Sequence, residues 1–267
     1  MVKLLRRGDN WLPDHPQREL ITRRYLKHQR SLVYQALERL VPTDSGAFEE
    51  GRADGPAPTG HEEELEAPLG LGHQRVEFVI EVLHAAGARR VLDLGCGEGR
   101  LLRELLKERS FSQIVGVDVS HRALERAQER LRLDMLPPRE RERVQLWQGS
   151  LTYRDHRLEG FDAAVLMEVV EHIEPGRLVA LAQAVFGSAR PGTVIVTTPN
   201  VEYNVRFPRL ASGDFRHPDH RFEWTRTEFQ NWAQGVARQY GYKVEFMDVG
   251  PADPDLGPPT QAGVFRR

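Results

Sequence analysis

The chain has one cysteine in 267 residues, Cys96. A single thiol excludes an internal disulfide and fits a reducing, cytoplasmic setting. Long apolar runs are missing as well: none approaches the roughly 20 residues that a membrane helix needs, so no membrane partner is expected. The opening stretch MVKLLRRGDNW has no apolar core region and does not read as a cleavable leader. Charge of one sign is also lacking, since 37 Lys and Arg stand against 39 Asp and Glu for a formal net charge of −2. A polyanionic partner must therefore be met by local charge rather than by the field of the whole surface. What is present is an ordinary globular composition, 40% hydrophobic and 28% charged, on a chain long enough to bury a full core.

The pattern along the chain divides it. Pro16 suits the first turn of a helix running to about Leu40, with Ile21, Tyr25, Leu32, Ala36 and Leu40 as its apolar stripe. Arg23, Arg24, Lys27 and Arg30 make the first half of that helix basic, either as a solvated face or as a grip on phosphates. Residues 42–60 are rich in Gly, Pro and acids and read as a loop, and a second helix is expected over 71–86. Residues 1–88 thus read as an N-terminal helical cap, and 89–267 as an α/β domain. In the latter, strands are expected at 90–94, 112–118, 144–148, 162–167, 193–197, 243–248 and 262–266. Helices are expected near 100–107, 123–133, 175–188 and 227–239. Such alternation implies a doubly wound, mostly parallel sheet covered on both faces.

Two stretches carry chemistry. In FDAAVLMEVVEHI (161–173), a buried strand breaks into Glu168, Glu171 and His172. At i, i+3 and i+4 these share one face if the backbone turns helical after Met167. Two carboxylates and an imidazole suit a divalent cation; the plainer reading is a solvated first helical turn with acids at its N-terminus. In VLDLGCGEGR (91–100), Gly95, Gly97 and Gly99 let the backbone approach a ligand at the carboxyl end of the sheet. The third glycine comes one residue too early for a dinucleotide fingerprint. Asp93 adds an acid within the strand, and Asp118 closes the next one, where a carboxylate can take both ribose hydroxyls of a nucleoside.

That glycine spacing, followed by an acid at the next strand end, is similar to the class I S-adenosylmethionine-dependent methyltransferases with their Rossmann-like sheet. The resemblance implies S-adenosylmethionine as cofactor and puts Gly149, Ser150 and Leu151 by its adenine. EVVEH also resembles the acidic motif of quinone-biosynthesis O-methyltransferases, which leaves a phenolic small-molecule acceptor open. FRHPDHRFEWTRTEFQNWA (215–233), with TTPNVEYN (197–204) and RRYLKHQRSL (23–32), resembles instead the HEN-type small-RNA 3′-terminal ribose 2′-O-methyltransferases, the bacterial branch in particular. In those enzymes a longer amino-terminal half engages an RNA repair kinase-phosphatase-ligase, and this chain would correspond to the carboxyl-terminal methyltransferase half.

Carried over residue by residue, the family's metal site falls on Glu168, Glu171, His172 and either His217 or His220. His220 is the choice here because DHRFEW is the element that matches most generally. Manganese is the expected ion, with magnesium or cobalt as alternatives. The same four residues are the expected catalytic set, and the expected acceptor is RNA with free 2′,3′-hydroxyls at its 3′ end. Arg23, Arg24, Lys27, Arg30, Arg216, His217 and Arg221 are expected to meet RNA, with Asn200 lining the acceptor pocket. Phe222 and Trp224 read as core or as a stacking surface for a base. Outside the enzyme readings, a non-catalytic RNA-binding scaffold for a repair ligase would need only the basic residues.

Overall fold

In the computed structural model of the chain, residues 60–267 are described, and seven strands among them form one sheet. These are β1 (Arg90–Leu94), β2 (Gln113–Asp118), β3 (Val144–Gln148), β4 (Ala163–Met167), β5 (Thr193–Pro199), β6 (Lys243–Val249) and β7 (Thr260–Arg266). They lie in the order β3-β2-β1-β4-β5-β7-β6. Five strands, β1 to β5, run parallel. β7 inserts antiparallel between β5 and β6. The pattern follows the residues: TVIVTTP in β5 is buried throughout, as a central strand covered on both faces must be. At the edge, β6 largely alternates exposed and half-buried positions.

Helices cover both faces. They are α1 (Gly60–Glu66), α2 (Leu71–Ala85), α3 (Arg100–Lys107), α4 (His121–Leu131), α5 (Pro138–Arg143), α6 (Leu178–Ala182) and α7 (Arg226–Tyr240). On one face Val76, Val79 and Leu83 of α2 join Leu101, Leu102 and Leu105 of α3 over Val91, Val165 and Ile195. On the other, Leu181 of α6, Phe186, and Phe229 and Val236 of α7 pack over Leu92, Leu166, Val196 and Phe265. α7 is set by a full capping box between Thr225 and Glu228 and stops at Gly241, whose φ is 76°.

α1 and α2 lie in the same compact unit as the sheet, which spans Thr59–Arg267. Two expectations change. The helix expected over 175–188 divides into a 3₁₀ turn at Pro175–Arg177, α6, and a π-helical stretch at Gln183–Ala189. The chain after Met167 is not α-helical: Glu168 takes a left-handed φ of 55°, and a 3₁₀ turn follows at Val170–His172. The reason is local, because the Glu168 N–H donates to the Thr197 carbonyl at 3.1 Å and so stays tied to the neighbouring strand. The basic helix of 16–40 and its residues Arg23, Arg24, Lys27 and Arg30 lie outside the described residues. No helix among the described residues is long and apolar enough to cross a membrane.

Candidate active site

The glycine loop and the acidic turn meet at the carboxyl ends of β1 and β4. Gly95 has φ 84°, and a Cβ on it would come within 2.7 Å of the Val169 side chain, so only glycine lets the two loops touch. Gly97 donates its N–H to Asp118 Oδ2 at 2.9 Å, and Ser120 donates to Oδ1 at 2.8 Å. Asp118 thus braces the loop while staying half-exposed at the strand end, where lone pairs remain for further donors. Beneath it Asp93 is buried, and burial, aided by the Asp118 charge, raises its pKa to about 7. Ser150 and Leu151 follow β3, whose last residue Gln148 pairs in register with Asp118. Cys96 is buried and unpaired, and burial pushes its thiol up, away from reactivity.

Beside this loop lies a cluster of acids and imidazoles. Glu171 is fully buried; Thr198 donates to its Oε2 at 3.1 Å, and Oε1 has no partner among the described residues. Burial, then the Glu168 charge, raises its pKa well above the ordinary carboxyl value. The Glu168 carboxylate accepts from Thr197 Oγ1 at 2.7 Å and pairs with Arg75 of α2, which also pairs with Glu66 of α1. His172 reaches solvent on one side. Burial of its other side, with His220 and His217 adjacent, depresses its pKa to about 4, so it is neutral at pH 7. The loop of His217 and His220 is docked here by Arg221, whose N–H donates to the Glu171 carbonyl at 2.7 Å. The His172 ring stands 4.8 Å from that of His220 and 5.6 Å from that of His217, centroid to centroid.

Of the four residues assigned to a cation, the structure brings His172 and His220 together and pairs the Glu168 carboxylate with Arg75. The ligand atoms of His172, His217 and His220 form one close group and those of Glu62, Glu66 and Glu168 another, each within 4.8 Å. A cation fits on two observations. Glu171 Oε1, Glu62 Oε1 and His220 Nε2 are all buried without a hydrogen-bond partner among the described residues, a costly condition for polar atoms. The acids Glu62, Glu66, Glu168, Glu171 and Glu223 also outnumber the arginines that face them, Arg75 and Arg216. Oxygen and nitrogen donors together suit a first-row divalent ion.

Two residues assigned to RNA contact are buried in the fold. Arg216 is fully buried and donates to Glu66, Asn204 and the carbonyls of Asn200 and Pro259, so it is a strut of the fold. Asn200, also fully buried, spends its amide on the Leu256 and Pro258 carbonyls and the Glu202 N–H. Arg221 does stand at the surface, 46% exposed beside Glu174. Phe222 and Trp224 pack against the core with Phe229 and Trp232. The sequence reading missed Glu62, Glu66 and Arg75, which arrive from helices a hundred residues away, and the role of Thr197, Thr198 and Glu223 as hydrogen-bond partners. The consecutive threonines at the end of a buried apolar strand were the available signal.

Residues 25–246 match the methyltransferase domain family, and residues 1–41 match the family described as the RNA repair, ligase-Pnkp-associating, region of Hen1. The chain is 39% identical over 204 residues to the small RNA 2′-O-methyltransferase of Rattus norvegicus, covering 74% of this chain and 51% of that protein. It spans about half the length of the vertebrate relatives it matches. The crystal structure of the methyltransferase domain of the bacterial protein CtHen1 is 51% identical, with a TM-score of 0.70 over 74% of this chain and 100% of that one. The small RNA methyltransferase HEN1 is 31% identical, with a TM-score of 0.67 over 84% of this chain and 27% of that one.

Proposed function

The chain belongs to the Hen1 family of methyltransferases, and from that premise we propose that it moves the methyl group of S-adenosylmethionine to the 2′-oxygen of the 3′-terminal ribose of RNA. In the balanced reaction the oxygen loses its proton, a C–O bond forms, the C–S bond of the sulfonium breaks, and S-adenosylhomocysteine leaves. The observation that carries the proposal is the contact of Val169 with Gly95, which joins the nucleoside-binding loop directly to a buried cluster of acids and imidazoles.

Asp118, half-exposed at the end of β2, takes the ribose hydroxyls of the cofactor, and the segment at Ser150 and Leu151 lies along its base. Glu168, Glu171, His172 and His220 hold a divalent cation, manganese first, with magnesium or cobalt as alternatives. When bound, the ion supplies Lewis acidity that makes a neighbouring hydroxyl easier to deprotonate. The protein supplies alignment, which carries much of the remaining barrier. Because His172 is neutral at pH 7, its ring keeps a lone pair to offer at that pH. Arg221, with Arg23, Arg24, Lys27 and Arg30, meets phosphates and holds the strand without reading its sequence. Residues 1–41, by their match, carry part of a docking region for a repair ligase and its kinase-phosphatase, and a lone buried thiol agrees with work in the cytoplasm.

The test is methyl transfer to a short RNA ending in 2′,3′-hydroxyls, with Mn²⁺ or with a chelator. Parallel substrates carry a 3′-phosphate or a terminal 2′-deoxyribose. Transfer confined to the free diol and to Mn²⁺ is expected. Glu171→Gln should lower it at least 100-fold while S-adenosylhomocysteine binding stays within about threefold. Transfer to a phenolic acceptor and to no RNA would replace this reading with a small-molecule one.

A further inference from the structure

Three positions beyond His220 stands Glu223, also buried, at 7% exposure against 5% for His220. Its Oε1 lies 2.7 Å from His220 Nδ1 and accepts the Arg216 backbone N–H at 2.7 Å. Its Oε2 accepts from Asn204 Nδ2 at 2.6 Å. The Asn204 amide is held in turn, because its Oδ1 accepts from Arg216 Nε at 2.7 Å. Both Glu223 oxygens thus accept from N–H groups that can only donate, so the carboxylate accepts from His220 as well and His220 carries its hydrogen on Nδ1. The remaining lone pair, on Nε2, is buried without a partner among the described residues, 4.0 Å from Glu62 Oε2. His217 is arranged in the opposite sense. Its Nδ1 accepts the Asp219 N–H at 3.0 Å, so Nε2 carries a hydrogen whatever the charge of the ring.

We propose that Glu223 is the positioning residue of the cation site: its carboxylate locks His220 with Nε2 bare and aimed into the acidic cluster, while the Asp219 N–H keeps His217 from serving as a ligand. The inference rests on the cation reading above and assigns the choice between the two histidines to their hydrogen-bond partners. A carboxylate behind a ligating imidazole fixes its tautomer and raises its basicity, and removing such a partner typically costs 10- to 100-fold in metal affinity.

The experiment is calorimetric titration of the full chain with MnCl₂ and, separately, with S-adenosylhomocysteine, for wild type and Glu223→Gln. The variant should bind Mn²⁺ 10- to 100-fold more weakly with S-adenosylhomocysteine affinity unchanged; damage to the fold would lower both together. Equal Mn²⁺ affinities overturn the role of Glu223, and a wild type that takes up no Mn²⁺ overturns the cation reading itself. Should the variant not fold, ¹⁵N-histidine spectra of the cation-free wild type decide. They should show Nδ1–H on His220 and Nε2–H on His217, and a proton on His220 Nε2 ends the proposal.

Discussion

Asp93 shows how a residue can serve a site at a cost to the fold. It is buried below the glycine loop, where burial and the Asp118 charge lift its pKa to about 7. A carboxyl whose folded pKa lies above its unfolded value binds more protons in the folded state. Its contribution to stability is therefore greatest below about pH 4 and is lost as pH rises to about 7. Asp93→Asn should remove that dependence. Urea midpoints of the metal-free proteins should place the variant further above wild type at pH 8 than at pH 5, by up to a few kcal/mol, and a constant gap would show that Asp93 is not desolvated. At this scale Glu168, Glu171 and His172 stood out in the sequence, because ligand types at short spacing after a strand carry their own chemical meaning, whereas His220 stood out only through the resemblance of DHRFEW. Their partners did not: Glu66 and Arg75 look like ordinary charges on amphipathic helices until the fold sets Arg75 between Glu66 and Glu168. The burial of Arg216 was hidden for the same reason, since an arginine in a polar loop gives no sign of being buried.

Elements were easier to see than the joints between them. The strands were legible because short apolar, often β-branched runs end at Gly, Asp or Pro, and α7 because Thr225 and Glu228 announce its start. The π-helical widening at Gln183–Ala189 was not, as its residues keep the apolar spacing of an ordinary helix. Nor was α5, whose PRERER sequence shows no apolar face. The joint that matters most is Gly95 against Val169. Gly95→Ala puts a methyl 2.7 Å from the Val169 side chain at a φ of 84°, so the glycine loop and the acidic turn must separate. S-adenosylhomocysteine binding should weaken at least tenfold, with a fall in melting temperature of several degrees; thermal scans and calorimetry of this variant report both. An unchanged affinity would mean that the contact with Val169 has no part in shaping the cofactor site.

Across the whole molecule, the site is a place where distant parts of the chain are tied together. Arg216 alone joins α1, through Glu66, to the segment after β5, through Asn200 and Asn204, and to the start of β7, through Pro259. Arg216→Met keeps the bulk but leaves Glu66 short of a counter-charge and two carbonyls short of a donor. Breaking a buried pair from one side costs about 3–5 kcal/mol, measurable as a lower urea midpoint. A loss below about 1 kcal/mol would mean that water reaches these groups.

Glu168 alone among the acids of the cluster has a left-handed backbone, at φ 55°. A glycine or asparagine would rest there with less strain, by about 1 kcal/mol. A library randomised at this codon and screened only for soluble, heat-resistant protein should therefore drift away from glutamate. The same library screened for methylated RNA should return to it. The turn after β4 is thus a position where breeding for robustness and breeding for activity pull in opposite directions, and a stabilised version of this protein should be built with that codon held fixed.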